Sequence, residues 1–201
     1  MSNCFLCNPD TDLIFDESAH FLAILGLGPI VEGYSLVASR AHVPSMFDIE
    51  DDIVDELETF TRHIAGRLGA VYACSVQITE HGRVGLCSER QDKHEPHCYH
   101  AHRLLFPTET DFREALTESE IEPLAFGSFS EARLAAGHLV EYLYCENLGE
   151  EVLVGTYGGS VPRQFFRTAI AKAVGRPELR SWRAYPRPEV VHRARLKLLG
   201  V

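Results

Sequence analysis

The chain has 201 residues, of which 45% are hydrophobic and 24% are charged, a composition typical of a globular protein with one sizeable core. Its formal charge of -10 argues against nucleic acid as a main partner, because neutralising many phosphates requires clustered Lys and Arg. We find no apolar run long enough to span a bilayer and no signal-peptide pattern at the N-terminus, so we expect a cytoplasmic protein without membrane association.

The first seventy residues predict a strand meander followed by a helix. Short strands are predicted at 13–15, 21–25 and 34–37, with polar, Gly and Pro residues between them. Apolar residues then recur every three or four positions from Ile49 to Leu68, which predicts one long amphipathic helix. We expect it to begin near Pro44-Ser45 and to end near Gly69.

The remaining chain predicts a mixed pattern of strands and helices. Strands are predicted at 71–78 and 100–106, and the polar segment from Glu80 to His97 is predicted to be a loop beside the candidate site. Beyond Pro107 we expect an acidic connector, strands at 139–144 and 151–154, and helices at 162–174 and 188–199.

Together these elements predict an α+β fold. A central antiparallel β-sheet would carry the long helix on one face, and a helical C-terminal extension would follow. We divide the chain into a core over residues 1–110 and an extension over 111–201 that completes the same domain.

The segment His100-Ala101-His102 is the first candidate for chemistry. Two His spaced by one residue on a strand point to the same face of the sheet. A neutral imidazole can attack phosphorus and form a phosphoramidate, provided that its other nitrogen is held by an acceptor. On this spacing alone, a pair of surface or core-lining His without a chemical role is an equal alternative.

The surrounding residues resemble the histidine-triad family. Glu80-His81-Gly82 precedes a loop and then the segment 98–107, whose final Pro is in register with the family motif. The resemblance implies that His100 is the first triad position, that His102 is the second position and nucleophile, and that Leu104 replaces the third His. Matching landmarks upstream are 21–25, Pro29, 33–37 and 41–45. The resemblance implies a histidine-triad-like fold over residues 4–107 and a homodimer formed across sheet edges.

A metal site is predicted from Cys4-x-x-Cys7. Two thiolates supply half of a tetrahedral zinc site, and zinc needs two further ligands. The family resemblance implies that His42 and His100 complete the set and that one structural zinc ion per chain ties the N-terminus to the strand of His102. The alternative is an unligated cysteine pair at a frayed terminus.

The resemblance also implies a nucleotide pocket. The base would pack between Phe15 and Ile24, although both are equally typical of an ordinary core. The phosphate would lie between His102 and the loop near Glu80 and His97.

Two positions depart from the family pattern. Gly26 stands where nucleotide-binding members place an Asp, and Leu104 cannot donate to a phosphate oxygen. Candidate compensating donors are His97, Arg103, Gln164 and Arg167, although Arg103 should point away from His102 on a regular strand. We interpret His81 as solvated or structural.

We therefore expect a histidine-triad-type phosphohydrolase or nucleotidyltransferase that acts on a nucleotide or a similar phosphate ester through a covalent His102 intermediate. The alternative is a non-catalytic module that binds a phosphorylated ligand and keeps a structural zinc. A third interpretation is a zinc-scaffolded protein whose C-terminal half is an interaction surface.

Overall fold

A computed structural model describes residues 4–83, 100–147, 151–156 and 164–200. Within these ranges eight strands form one antiparallel sheet in the order β1-β2-β3-β5-β4-β7-β8-β6. The strands are β1 (Ile14–Glu17), β2 (Phe21–Leu25), β3 (Ser35–Ser39), β4 (Val76–Gly82), β5 (His102–Pro107), β6 (Leu124–Phe126), β7 (Tyr142–Asn147) and β8 (Glu151–Gly155). The predicted α+β class with a central antiparallel sheet is confirmed.

The long helix, α1, spans Val54–Tyr72 and packs on one face of the sheet through a stripe of buried apolar residues. Its predicted start near Pro44-Ser45 was wrong. Met46–Asp48 and Asp51–Ile53 form separate 3-10 turns, and Ile49 between them is extended, with a ψ of 160°. The apolar spacing did not distinguish these turns from α-helix because both bury residues three or four apart.

The end of α1 also differs from the prediction. The helix continues to Tyr72, and Ala73 then adopts a left-handed conformation with a φ of 52°. The strand predicted at 71–78 therefore begins only at Val76 and continues to Gly82. Glu80, which we expected in a loop, lies inside this strand. His100, which we expected on a strand, precedes β5.

The segment predicted as an acidic connector contains regular structure. Helix α2 (Phe112–Glu118) begins at Asp111, whose side chain accepts the Arg113 N–H, and α3 (Phe129–Ala136) begins at Ser128, whose hydroxyl accepts the Glu131 N–H. These N-caps stabilise helices that are too short to show a clear apolar period. The last helices are α4 (Phe165–Ala173) and α5 (Pro188–Leu199), close to their predicted positions.

The sheet separates two clusters of buried apolar residues. One cluster, on what we call the α1 face, includes side chains of α1, α3 and α5. The other cluster lies on the opposite face, which we call the His102 face, and includes side chains of α2 and α4. Strands from both halves of the chain lie in this one sheet, because β7 pairs directly with β4. Among the described residues, no helix is long and apolar enough to cross a membrane.

Arg103 is fully buried on the α1 face, one residue after His102. Its Nη2 lies 2.8 Å from Oε1 of Glu58, and its Nη1 donates to Oγ1 of Thr61 at 3.1 Å. The first contact lacks the angle of a hydrogen bond, so we treat it as an ion pair. The guanidinium also stacks 4.5 Å from the ring centre of Phe129 and lies 3.8 Å from Glu146. It thereby joins β5 to α1, α3 and β7.

We predict that Arg103→Ala lowers the free energy of unfolding by about 3–5 kcal/mol, because it removes the cation between the mostly shielded carboxylates of Glu58 and Glu146 and leaves a cavity beside Phe129. Arg62 is the matched control, since it pairs with the same Glu58 at 2.9 Å from an exposed position. Arg62→Ala should lower the free energy of unfolding by less than about 1 kcal/mol. Urea denaturation of both variants measures the difference, and equal losses would contradict a special role for Arg103.

Candidate functional site

Four predicted metal ligands lie together at the start of β5. The ligand atoms of Cys4, Cys7, His42 and His100 all lie within 4.8 Å of one another. Nδ1 of His100 lies 3.3 Å from Sγ of Cys4 and 3.5 Å from Sγ of Cys7, and Nδ1 of His42 lies 3.0 Å from Sγ of Cys7. In tetrahedral zinc sites a thiolate and an imidazole nitrogen are separated by about 3.5 Å, so this set could hold one metal ion.

Backbone pairing positions the two imidazoles of this cluster. The Ser39 N–H donates to the Ala101 carbonyl at 3.1 Å, and the Ala101 N–H donates to the Val43 carbonyl at 2.7 Å. Nε2–H of His100 donates to the Ser39 carbonyl at 2.6 Å, which leaves Nδ1 unprotonated and directed at the thiols. Burial lowers the pKa of His100, and the neighbouring His42 lowers it further.

His102 is held in the tautomer that a nucleophile requires. Its Nδ1–H donates to the His100 carbonyl at 2.7 Å, so Nε2 carries the lone pair. No described residue hydrogen-bonds to this Nε2. Burial lowers the pKa of His102, and the nearby His100 and His81 lower it further against the effect of the hydrogen bond. The imidazole is therefore kept neutral.

A row of side chains crosses the His102 face. Leu22 pairs with Ala38, and Ala38 pairs with His102. The β4–β5 ladder pairs Thr79 with Leu104, and continuing it by two residues places His81 opposite His102. His81 in turn pairs with Leu143 on β7.

His81 is the site residue that the sequence analysis missed. Its side chain is only 14% exposed, and its Nε2 lies 2.6 Å from Oε1 of Glu141. Interpreting 80–97 as a loop concealed the strand alternation that separates His81 from Glu80. Assigning residues 76–82 to a strand antiparallel to β5 would have brought His81 to His102.

Glu80 lies on the α1 face, away from His102. Its two carboxylate oxygens accept the Met46 N–H at 2.7 Å and the Tyr142 hydroxyl at 3.0 Å. Burial raises the pKa of Glu80 to about 7, against the lowering effects of these hydrogen bonds and of Arg103. The structure therefore does not direct this predicted substrate contact at His102.

The structure does not bring Phe15 and Ile24 together. Phe15 belongs to the cluster on the α1 face and Ile24 to the cluster on the His102 face, so the sheet lies between them. A cavity of about 260 Å³ opens instead beside the metal cluster. It is lined by Leu6, Cys7, Asn8, Pro9, Thr11, Ile14, Glu17, Leu22 and Arg40.

The C-terminal donor candidates are not placed at His102. Arg167 is buried, and its guanidinium donates to the carbonyls of Gly28, Leu179 and Arg180 at 2.7–3.1 Å. It also stacks on Tyr34, which packs on Phe106, about 13 Å along β5 from His102. Gln164 is exposed at the beginning of α4. His97 and the first two residues of the helix predicted at 162–174 lie outside the described residues.

Close packing explains the glycine at position 26. A Cβ atom there would lie 2.2 Å from the ring of Tyr34, too close for any side chain unless that ring moves. An Asp could not occupy this position in the present packing, so any recognition of a ribose by this chain must use other groups.

Comparisons with known proteins give weak similarities. No family model and no curated protein matches the chain. Similar solved structures include a HIT-like protein from Bartonella henselae, with 13% identity over 51% of this chain and 74% of that chain and a TM-score of 0.40. A HIT-family protein from Bacillus subtilis has 18% identity over 53% of this chain and 73% of that chain, with a TM-score of 0.42. A yeast Ap4A phosphorylase in complex with AMP has 13% identity over 80% of this chain and 67% of that chain, with a TM-score of 0.41. TM-scores below 0.5 assign neither fold nor activity.

We predict that Glu80→Gln removes a pH-dependent loss of stability. Because the pKa of Glu80 rises from 4.5 to about 7 on folding, its ionisation lowers the free energy of unfolding as pH rises through this interval, by roughly 3 kcal/mol in total. Gln keeps the shape of the side chain and one acceptor oxygen, as protonated Glu does, but it cannot ionise. Stability relative to the unchanged protein should therefore be higher for the variant at pH 8 than at pH 4.5.

Denaturant unfolding at several pH values measures this difference. Asp48→Asn is the contrasting control, because hydrogen bonds from Arg83 and Ser45 outweigh burial and lower the pKa of Asp48. The stability of Asp48→Asn relative to the unchanged protein should stay nearly constant from pH 4.5 to pH 8 and should rise only when the pH falls below about 3.8, as the stabilising charge of Asp48 is lost. A constant difference between Glu80→Gln and the unchanged protein would contradict the prediction.

Proposed function

We propose that this protein is a phosphohydrolase or nucleotidyltransferase that acts on a nucleotide or a similar phosphate ester through a covalent intermediate on His102. One observation carries the proposal: the Nδ1–H of His102 is bound to the His100 carbonyl, so Nε2 is unprotonated at a partly exposed position beside the four-ligand cluster. The resemblance to the histidine-triad family in the segments around Gly82 and Pro107 supports the same assignment.

The reaction would proceed in two steps. Nε2 of His102 attacks phosphorus, the bond from phosphorus to the leaving oxygen breaks, and that oxygen takes the electron pair. Water or a second substrate then attacks the phosphoramidate, and the electron pair of the P–N bond returns to Nε2. Hydrolysis and transfer differ only in the acceptor of the second step.

The nucleoside would occupy the cavity beside Cys7. Leu6, Ile14 and Leu22 give this cavity an apolar wall, and Leu22 lies two strands from His102, about 10 Å away. This separation suits a nucleoside whose 5′-phosphate is directed at His102. Ile24 would support the wall from the neighbouring core, whereas Phe15 faces the other side of the sheet.

Zinc is the metal that suits the cluster best. Cys4, Cys7, His42 and His100 would hold it, because two thiolates and two imidazoles are a typical structural zinc set. Bound zinc would fix the N-terminal segment and the ring of His100. We assign it no step in the reaction.

A non-catalytic binding function is the second candidate. Leu104 offers no hydrogen-bond donor on the His102 face, and Gly26 leaves no room for an acidic ribose contact. A module that only holds a phosphorylated ligand would need neither a proton donor nor an acidic ribose contact at these positions.

The homodimer and the cytoplasmic location stay predictions. Among the described residues, the edge strands available for sheet pairing between subunits are β1 and β6.

We predict about one zinc ion per chain in the purified protein and almost none in Cys7→Ser. Cys74→Ser is the matched control, because Cys74 is a partly buried free thiol outside the cluster. Elemental analysis and thermal unfolding measure metal content and stability together. Equal zinc content in the unchanged protein and in Cys7→Ser would exclude this site.

The covalent step predicts an AMP adduct on His102. The p-nitrophenyl ester of AMP is the probe, because its leaving group departs without protonation. Intact-protein mass, measured after a quench in alkaline denaturant that preserves phosphoramidates, should show the adduct. His102→Ala should lose both adduct and product release, whereas His192→Ala, at an exposed position of α5, should keep them. Ligand binding without adduct or product would support the binding module instead.

A further inference from the structure

We propose that His81, oriented by Glu141, is the general acid that protonates the leaving group in the reaction at His102. This inference rests on the proposed function and adds a catalytic residue to it. The position that follows His102 on the same face of β5 is Leu104, which cannot donate a proton. The leaving oxygen therefore needs a donor from a neighbouring strand.

Strand register brings His81 to the required place. The last β4–β5 pair is Thr79 with Leu104, and the same register continued by two residues puts His81 across from His102. Burial lowers the pKa of His102, His81 is close enough to lower it further, and the carboxylate of Glu80 lies on the opposite face. Directly opposed side chains have Cβ atoms about 4.5–5.5 Å apart. The attack distance, one P–O bond and one hydrogen bond together require about 7–8 Å between Nε2 of His102 and Nδ1 of His81, so the two rings must diverge above the sheet to hold the reacting group between them.

The pair with Glu141 suits an acid. Glu141 precedes β7 and lies 2.6 Å from Nε2 of His81, and both side chains are mostly shielded from solvent, at 22% and 14% exposed. The carboxylate accepts from Nε2–H and fixes the ring, so the proton that His81 would transfer is the one carried by Nδ1. Two other His–carboxylate pairs, His20–Glu56 and His63–Asp16, have more than half of the His side chain exposed.

The proton balance of the two steps is complete. As the bond from phosphorus to the leaving oxygen breaks, Nδ1–H of His81 gives its proton to that oxygen and His81 becomes neutral. In the second step neutral His81 accepts a proton from the attacking water, and the P–N bond to His102 breaks. His81 returns to its protonated form, and no other reactant is needed.

Leaving-group dependence tests this role. A general acid matters for the phenyl ester of AMP, whose leaving oxygen is basic, and matters little for the p-nitrophenyl ester. We expect His81→Gln to lower kcat/KM for the phenyl ester by about 10²-fold and for the p-nitrophenyl ester by less than about 3-fold. Glu141→Gln should show a smaller loss with the same selectivity. A general structural defect would lower both rates equally.

His20→Gln is the matched control, because it removes an imidazole that is also paired at 2.6 Å with a glutamate. It should leave both rates unchanged. Equal losses with the two esters in His81→Gln, or no loss with either, would overturn the role of His81 while leaving His102 chemistry intact. If the unchanged protein forms no His102 adduct and turns over neither ester, the proposed function itself fails.

Discussion

The buried guanidinium of Arg103 is the interaction on which the arrangement of the site depends. Successive residues of a strand face opposite sides of the sheet, so fixing Arg103 among Glu58, Thr61 and Phe129 fixes His102 on the other side. A shift of β5 by one residue would bury His102 and expose the charge that α1 neutralises. The same contact therefore stabilises the packing of α1 and sets the orientation of the proposed nucleophile.

A second constraint acts at the beginning of β5. Backbone hydrogen bonds from Ser39 and Ala101 place His42 and His100 within reach of the cysteines, and the His100 carbonyl in turn holds Nδ1 of His102. Metal ligation would restrict His100 from one end while Arg103 restricts β5 from the other. His102 lies between these two anchors, so its ring direction is set by groups that need not touch a substrate.

The sequence predicted the α+β class, the strand meander and the proximity of Cys4, Cys7, His42 and His100, because each depends on spacing along one segment or on a family motif. It did not predict which side chains meet across the sheet. Glu80 was expected at the phosphate and lies on the α1 face, whereas His81 was considered incidental and lies opposite His102. Glu80 and His81 are neighbours in β4, and successive strand residues face opposite sides of the sheet, so an error of one residue exchanges them. Arg167 was also misplaced, because carbonyls of three distant residues bind its guanidinium.

The absence of a donor at Leu104 and the placement of His81 are related through the geometry of the sheet. A donor at position 104 would approach His102 along β5, whereas a donor at position 81 approaches across the sheet from β4, about one strand spacing away. A proton donor on the β4 side would place the leaving group there, and an in-line displacement would hold the other substituents of phosphorus roughly perpendicular to the line from His102 to the leaving oxygen. The cavity wall at Leu22 lies two strands from His102, on the β2 side. With His81 as the proposed donor instead of a residue at position 104, the proposed axis of the reaction runs across the strands and not along β5.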